Sequence, residues 1–139
     1  MWVIFEGLDK SGKGTLEWEL LKATNFKHVI IDRGPAGYLV FDDLFKRRTK
    51  EGDDAYTKQL IDMRICKDFV VIYCKAPVNV ALDRIEANGE TCPYNYPYAQ
   101  FLYDTAINEL YKKEGIKVIT VDTSDSIEKC IKKILGGLK

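Results

Sequence analysis

The sequence predicts a three-layer α/β fold, a short four-stranded parallel sheet flanked by helices, on three observations. Four apolar runs, 2–5, 29–31, 69–73 and 118–121, are short and do not alternate with polar residues, the habit of strands covered on both faces. Stretches of helical periodicity separate them, and strand–helix–strand order produces parallel neighbours. Between the first run and the first helix stands G-L-D-K-S-G-K-G-T, Gly7 to Thr15.

Taken in order, Trp2-Val3-Ile4-Phe5 is the first strand and Gly7–Thr15 the turn after it. In the first helix Leu16, Leu20 and Ala23 share one face while Trp18 and Leu21 lie on another, so it is expected to be apolar on two sides. His28 precedes the second strand, which ends in Asp32-Arg33, and a helix carrying Tyr38 and Phe41 follows. The charged stretch 46–54 (KRRTKEGDD) reads as a loop. Tyr56, Leu60 and Met63 keep an i, i+4, i+7 spacing, as do Ile127, Ile131 and Ile134. The stretch 88–97 (NGETCPYNYP) is a second loop. The last helix is expected to start on Asp125 with Glu128 three residues on, and to stop at Gly136-Gly137.

A length of 139 residues fits one domain spanning 1–139, and 46% hydrophobic residues suffice for a core. Lys+Arg and Asp+Glu both total 21. No chain-wide field therefore draws nucleic acid or an anionic membrane, and phosphate must be bound by locally placed groups. Cys66, Cys74, Cys92 and Cys130 form no C-x-x-C pair and read as reduced thiols, three of them inside elements. No run reaches the ~20 apolar residues of a membrane span. With a strand opening at Met1 there is no leader pattern, so a cytoplasmic protein is expected.

A strand, a glycine-rich turn and a helix are the setting in which G-x-x-x-x-G-K holds phosphate, giving a P-loop NTPase-like fold. The glycines let backbone N–H groups turn inward, and the helix start adds unpaired donors and the positive end of its dipole. Gly7, Ser11, Gly12, Lys13, Gly14 and Thr15 are the candidate ATP-binding residues, with Lys13 reaching the β- and γ-phosphates. The hydroxyl that binds Mg²⁺ directly after the lysine is replaced by Gly14, and Thr15 comes one place late. The G-K-G-T order resembles adenylate kinases, which implies that the ion is held largely through water. Asp32, at the carboxyl end of a neighbouring strand, is the acid placed to order those waters, so Thr15 and Asp32 are the candidate metal residues. Arg33 offers a planar fork for a phosphoryl oxygen.

The chain resembles the thymidylate kinase group of nucleoside and nucleoside monophosphate kinases, especially small phage-like members. Phe5-Glu6-Gly7-Leu8-Asp9 with Gly12-Lys13 is similar to F-E-G-x-D/E-x-x-G-K. Asp32-Arg33, Gly37 and Phe41 are similar to D-R-x-x-x-S-x-x-x-Y, with glycine where the family has serine. The run 70–73, Ala76-Pro77 and the segment 81–85 look like the approach to the family's lid, here a short segment of about 85–100. Val121-Asp122-Thr123-Ser124 looks like the loop bordering the adenine.

The resemblance implies that Asp9 meets the acceptor, that Arg33 binds the acceptor phosphate or the transferred group, and that Arg84 stands at the lid beside the donor. No Lys or Arg occurs from Ile85 through Tyr111, so Lys10 is the substitute for a lid arginine. The catalytic candidates are thus Lys13, Lys10, Arg33 and Asp9. Only 12 residues separate Thr15 from His28, too few for the family's extra strand and helices, and the segment carrying its base-stacking aromatic is missing. Tyr38 is a candidate replacement for base stacking, and Phe41 a core residue. Tyr94, Tyr96 and Tyr98 fit substrate closure, an edge strand or a homodimer contact equally.

The expected activity is Mg²⁺- and ATP-dependent transfer of a phosphoryl group to a deoxynucleoside monophosphate such as dTMP. A deoxynucleoside kinase, in which Glu6 or Asp9 would serve as base, and a nucleotide-binding module without turnover are the alternatives. Small nucleotides are the expected partners, with neither membrane nor polynucleotide.

Overall fold

In the computed structural model, which describes residues 1–139, the apolar runs become β1 (Trp2–Glu6), β2 (Val29–Asp32), β3 (Phe69–Lys75) and β4 (Val118–Asp122). All pairings are parallel and the order is β2-β1-β3-β4. The crossovers carry α1 (Lys13–Ala23), α2 (Pro35–Leu44), α3 (Lys50–Ile65), α4 (Val78–Ala87) and α5 (Tyr96–Ala106); α6 (Ile127–Gly137) follows β4. The result is the expected α/β fold with helices on both faces of the sheet.

Successive strand side chains point to opposite faces, and each face is closed differently. Val3, Phe5, Val70, Ile72 and Cys74 pack with Leu16 and Leu20 of α1 and with Cys130 and Ile134 of α6. Ile4, Val71 and Tyr73 pack with Ala36, Val40 and Phe41 of α2, Leu60 and Met63 of α3, and Tyr103 of α5. Phe41 is a core residue, as expected.

Several sequence expectations are corrected. β2 is not covered on both faces: it is an edge strand, and Val29 is exposed. α1 is buried only through Leu16 and Leu20, because α6 and the sheet cover a single side of it. Trp18 lies exposed against the edge of Phe26. The stretch 46–54 is loop only to Thr49, whose Oγ1 accepts from the Gly52 N–H at 3.0 Å and starts α3 at Lys50. The stretch 88–97 ends likewise, at Asn95, which caps α5 by accepting from Tyr98 N–H at 3.1 Å. In α6 the cap is Ser126, not Asp125; its Oγ accepts from Lys129 N–H at 3.2 Å. Only Cys74 and Cys130 lie inside elements and are buried, since Cys66 ends α3 and Cys92 sits in a loop.

The fold turns on Glu6, the last residue of β1, which is 0% exposed. Its carboxylate accepts from the backbone N–H of Gly37 at 3.1 and 3.2 Å, from Gly34, and from the hydroxyls of Tyr103, at 2.7 Å, and Tyr111. A π-helical turn, Ile107–Tyr111, continues α5 and brings the second tyrosine into place. At about 100° per residue, eight residues of α-helix would set Tyr111 about 80° away from Tyr103. The extra residue absorbed by a π turn brings the two back to within about 20°.

The Glu6 contact also explains Gly37. A Cβ there would stand 2.4 Å from Arg33 Cγ, 2.5 Å from the Tyr103 hydroxyl and 2.7 Å from Glu6 Oε1. Gly37→Ala is expected to lower unfolding free energy by about 1–3 kcal/mol through overpacking, read as a shifted urea midpoint at unchanged slope.

Candidate functional site

The site is built where β1 and β2 end. After Glu6 the chain turns through Gly7, at φ 152°, where a Cβ would meet the Cys74 carbonyl oxygen at 2.5 Å. Gly12, at φ 83°, packs against Thr123 and leads into α1. Lys10, at φ 60°, is a non-glycine in the left-handed region, a local strain typical of a loop shaped for a ligand. The backbone N–H groups of Gly12, Lys13, Gly14 and Thr15 find no acceptor in the chain. Four donors thus converge at a helix start, which is the arrangement that attracts an anion.

Two adjoining cavities share this loop. One, of about 270 Å³, is lined by Leu8 through Thr15. The other, of about 430 Å³, shares Lys10, Gly12 and Thr15 with it and extends along Arg84, Asn88 and Thr123. Phosphate-sized and base-sized spaces are therefore continuous.

The candidate cations differ in what they hold. Lys13 reaches across to Asp32, so the expected neighbourhood of loop lysine and strand acid is present. Lys10 sits 3.3 Å from Glu90 in the turn after α4. Arg84 donates to the Lys10 carbonyl at 2.9 Å and to the Thr123 carbonyl at 2.8 Å, pinning the loop to the exit of β4. Arg33, at φ 72°, lays its guanidinium 4.1 Å from the Phe41 ring centroid, and its buried Nε has no partner. A half-buried guanidinium that pairs with no carboxylate keeps its donors free for an anion.

Aromatic residues close the other side. Tyr94 donates to Asp9 Oδ2 at 3.2 Å, and Tyr96 to the Asp9 carbonyl at 3.1 Å. The Tyr94 ring stands edge-on to Phe41 and Phe45, at 5.9 and 6.0 Å. Tyr38 does not join this group: it stacks on Tyr56 at 5.9 Å. Tyr98 stands exposed in the first turn of α5. In the basic run 46–50, Arg47 is tied to Asp42, and Arg48 to Asp43 and Asp53. Asp42 is more than a surface charge, because it also accepts from Tyr56.

The sequence reading passed over Glu17. It lies four residues after Lys13 on α1, next to Asp32, and its buried Oε1 has no partner. The i, i+4 spacing from the loop lysine was the available signal. Thr15 is exposed and lines both cavities. Asp32 and the orphaned Glu17 oxygen are hard donors of the kind a divalent cation takes, while Thr15, about 200° round α1 from Glu17, faces the cavities.

No protein-family model and no curated protein matches the sequence. Solved structures do match its fold. The YorR protein from Bacillus subtilis, in complex with phosphorylated GDP, aligns with a TM-score of 0.70 at 19% identity, over 98% of this chain and 94% of that one. Deoxyadenosine kinase from M. mycoides with bound dCTP aligns with a TM-score of 0.66 at 13% identity, over 99% and 98%. The same enzyme with product dCMP and a flexible dCDP gives 0.59 at 17% identity, over 99% and 98%. At these identities the likeness is one of fold.

The acids in the site titrate in opposite directions. Burial, then the neighbouring Asp32, pushes Glu17 up to about 8. Against the push of its own burial, hydrogen bonds to Glu17 and Lys13 hold Asp32 below its ordinary value. From about pH 4.5 to about 8 the folded chain keeps a Glu17 proton that the unfolded chain has lost, so this group's contribution to stability falls as pH rises. Urea midpoints between pH 5 and 8 should therefore fall more steeply for the wild type than for Glu17→Gln.

Proposed function

We propose that this chain is an ATP-dependent nucleotide kinase, moving the γ-phosphoryl group to a small nucleotide, first a deoxynucleoside monophosphate of the dTMP type. One observation carries the reading: four unpaired loop N–H groups and the Lys13 side chain border a cavity continuous with a base-sized space. The solved structures of like fold hold nucleotides, which supports it.

Each residue then has a task. The N–H groups of Gly12 to Thr15 and the Lys13 ammonium hold the donor phosphates, with Arg84 bracing the loop. Thr15 and Asp32 would hold Mg²⁺, mainly through water, and the ion would supply positive charge to the phosphates. Arg33 takes the acceptor phosphate. As an acceptor oxygen bonds to the γ-phosphorus, the bond to the β-phosphate oxygen breaks and ADP leaves with the bonding electrons. Lys13, and Lys10 once released from Glu90, neutralise that leaving charge. An acceptor phosphate is already nucleophilic and needs no strong base.

Deoxynucleoside phosphorylation is the second reading. Glu6 cannot serve it, since the carboxylate is sealed by tyrosine hydroxyls and backbone donors. Asp9, exposed and touched only by Tyr94 through its carboxylate, is the acid available to a 5′-hydroxyl.

Labelled ATP and Mg²⁺ are to be incubated with the protein and with nucleosides, monophosphates or 5′-hydroxyl oligonucleotides. Transfer to monophosphates is expected, with Lys13→Ala slower by about 100-fold or more. Transfer to nucleosides alone would select the second reading. ATP bound without transfer to any acceptor would leave a binding module, and unchanged Lys13→Ala activity would sink the site.

A further inference from the structure

Lys13 and Glu17, four residues apart on α1, stand one above the other on one helix face, and that face is turned to the end of β2. There Lys13 contacts Asp32, and Glu17 reaches the same carboxylate. Lys13 makes no ion pair with Glu17 itself, and Glu17 Oε1 is left sealed from solvent without any donor. A buried carboxylate oxygen without a partner is costly unless something absent from the free chain satisfies it. The second observation is at Gly14, where the usual metal-binding hydroxyl is missing. A Cβ there would meet no atom within 4 Å, so packing does not require glycine at that position.

We infer that Glu17 is a further carboxylate anchor for the divalent cation that accompanies the nucleotide, acting beside Asp32 on the ion's hydration shell and replacing the hold lost at position 14. The inference rests on the nucleotide reading above. Two neighbouring carboxyl groups cannot both stay ionised without a proton or cation beside them. In the free chain the Lys13 ammonium and the proton that Glu17 keeps serve that need. Once a triphosphate draws that ammonium toward its own oxygens, the acid pair needs another cation, and a hydrated dication offers donors to both acids. Glu17 is a positioning residue: it acts through the ion and touches no reacting atom.

The test is calorimetric titration of the full chain with ATP, without acceptor, in the presence and absence of Mg²⁺, supported by Mn²⁺ paramagnetic resonance. The quantity read is the gain in ATP affinity that the metal confers. Glu17→Gln should bind metal-free ATP as the wild type does, while its metal-linked gain drops by about tenfold. Adding Gly14→Ser to Glu17→Gln should restore part of that gain. Glu17→Ala serves as the second variant if the amide disturbs folding, with thermal melts as the check. A wild-type gain retained in both Glu17 variants overturns the inference and leaves the nucleotide site standing. Equal losses with and without metal mark a purely structural role and also overturn it. A wild type that binds ATP equally well without Mg²⁺ overturns it too, and a wild type that does not bind ATP overturns both readings.

Discussion

One buried carboxylate organises this molecule. Glu6 ends the central strand β1, is out of contact with water, and is satisfied by donors from α2, α5 and the π turn. Burial pushes its pKa up, and the two tyrosines and the backbone of Gly34 and Gly37 pull against that push. Leaving such a buried acid short of one hydrogen bond costs about 1–3 kcal/mol, more than a surface ion pair contributes. Because Gly7 follows directly, whatever fixes Glu6 also fixes where the loop to α1 begins.

The loop lies in a chain whose net charge is zero, so its attraction for anions is local. Its cations are committed to different degrees. Arg84 is bound to two backbone carbonyls, which makes it a brace. Lys10 is held by Glu90 in a partly exposed pair, and such pairs contribute roughly 0–1 kcal/mol. Opening that pair therefore costs little. Arg33 has no acid at all and rests on an aromatic face.

The sequence was informative wherever contacts are near in the chain or periodic. Continuous apolar runs marked four strands, and the loop between β1 and α1 was legible as a glycine turn at a helix start because strand, glycines and lysine adjoin. Asp32 was placed beside Lys13 by the rule that strand carboxyl ends share a crevice. The edge position of β2 was not legible, since its run looks like that of a central strand. The anchors of Glu6 lie 97 and 105 residues downstream, beyond any pattern of local spacing. The role of Arg84 was hidden for another reason: it binds backbone, which carries no sequence signal. Glu17 was readable from helix spacing, but stands outside the motif.

The π turn carries a consequence of its own. Tyr111 faces Glu6 only because one surplus residue is wound into 107–111. Winding the same residues as ordinary α-helix at unchanged length would swing the ring by about 100°, leaving the acid short of a donor, whereas removing one residue together with the wide turn would keep both rings on one face. Side chains along this turn can vary. Its residue count and its winding are tied to each other: eight residues from ring to ring need the wide turn, and seven would need none.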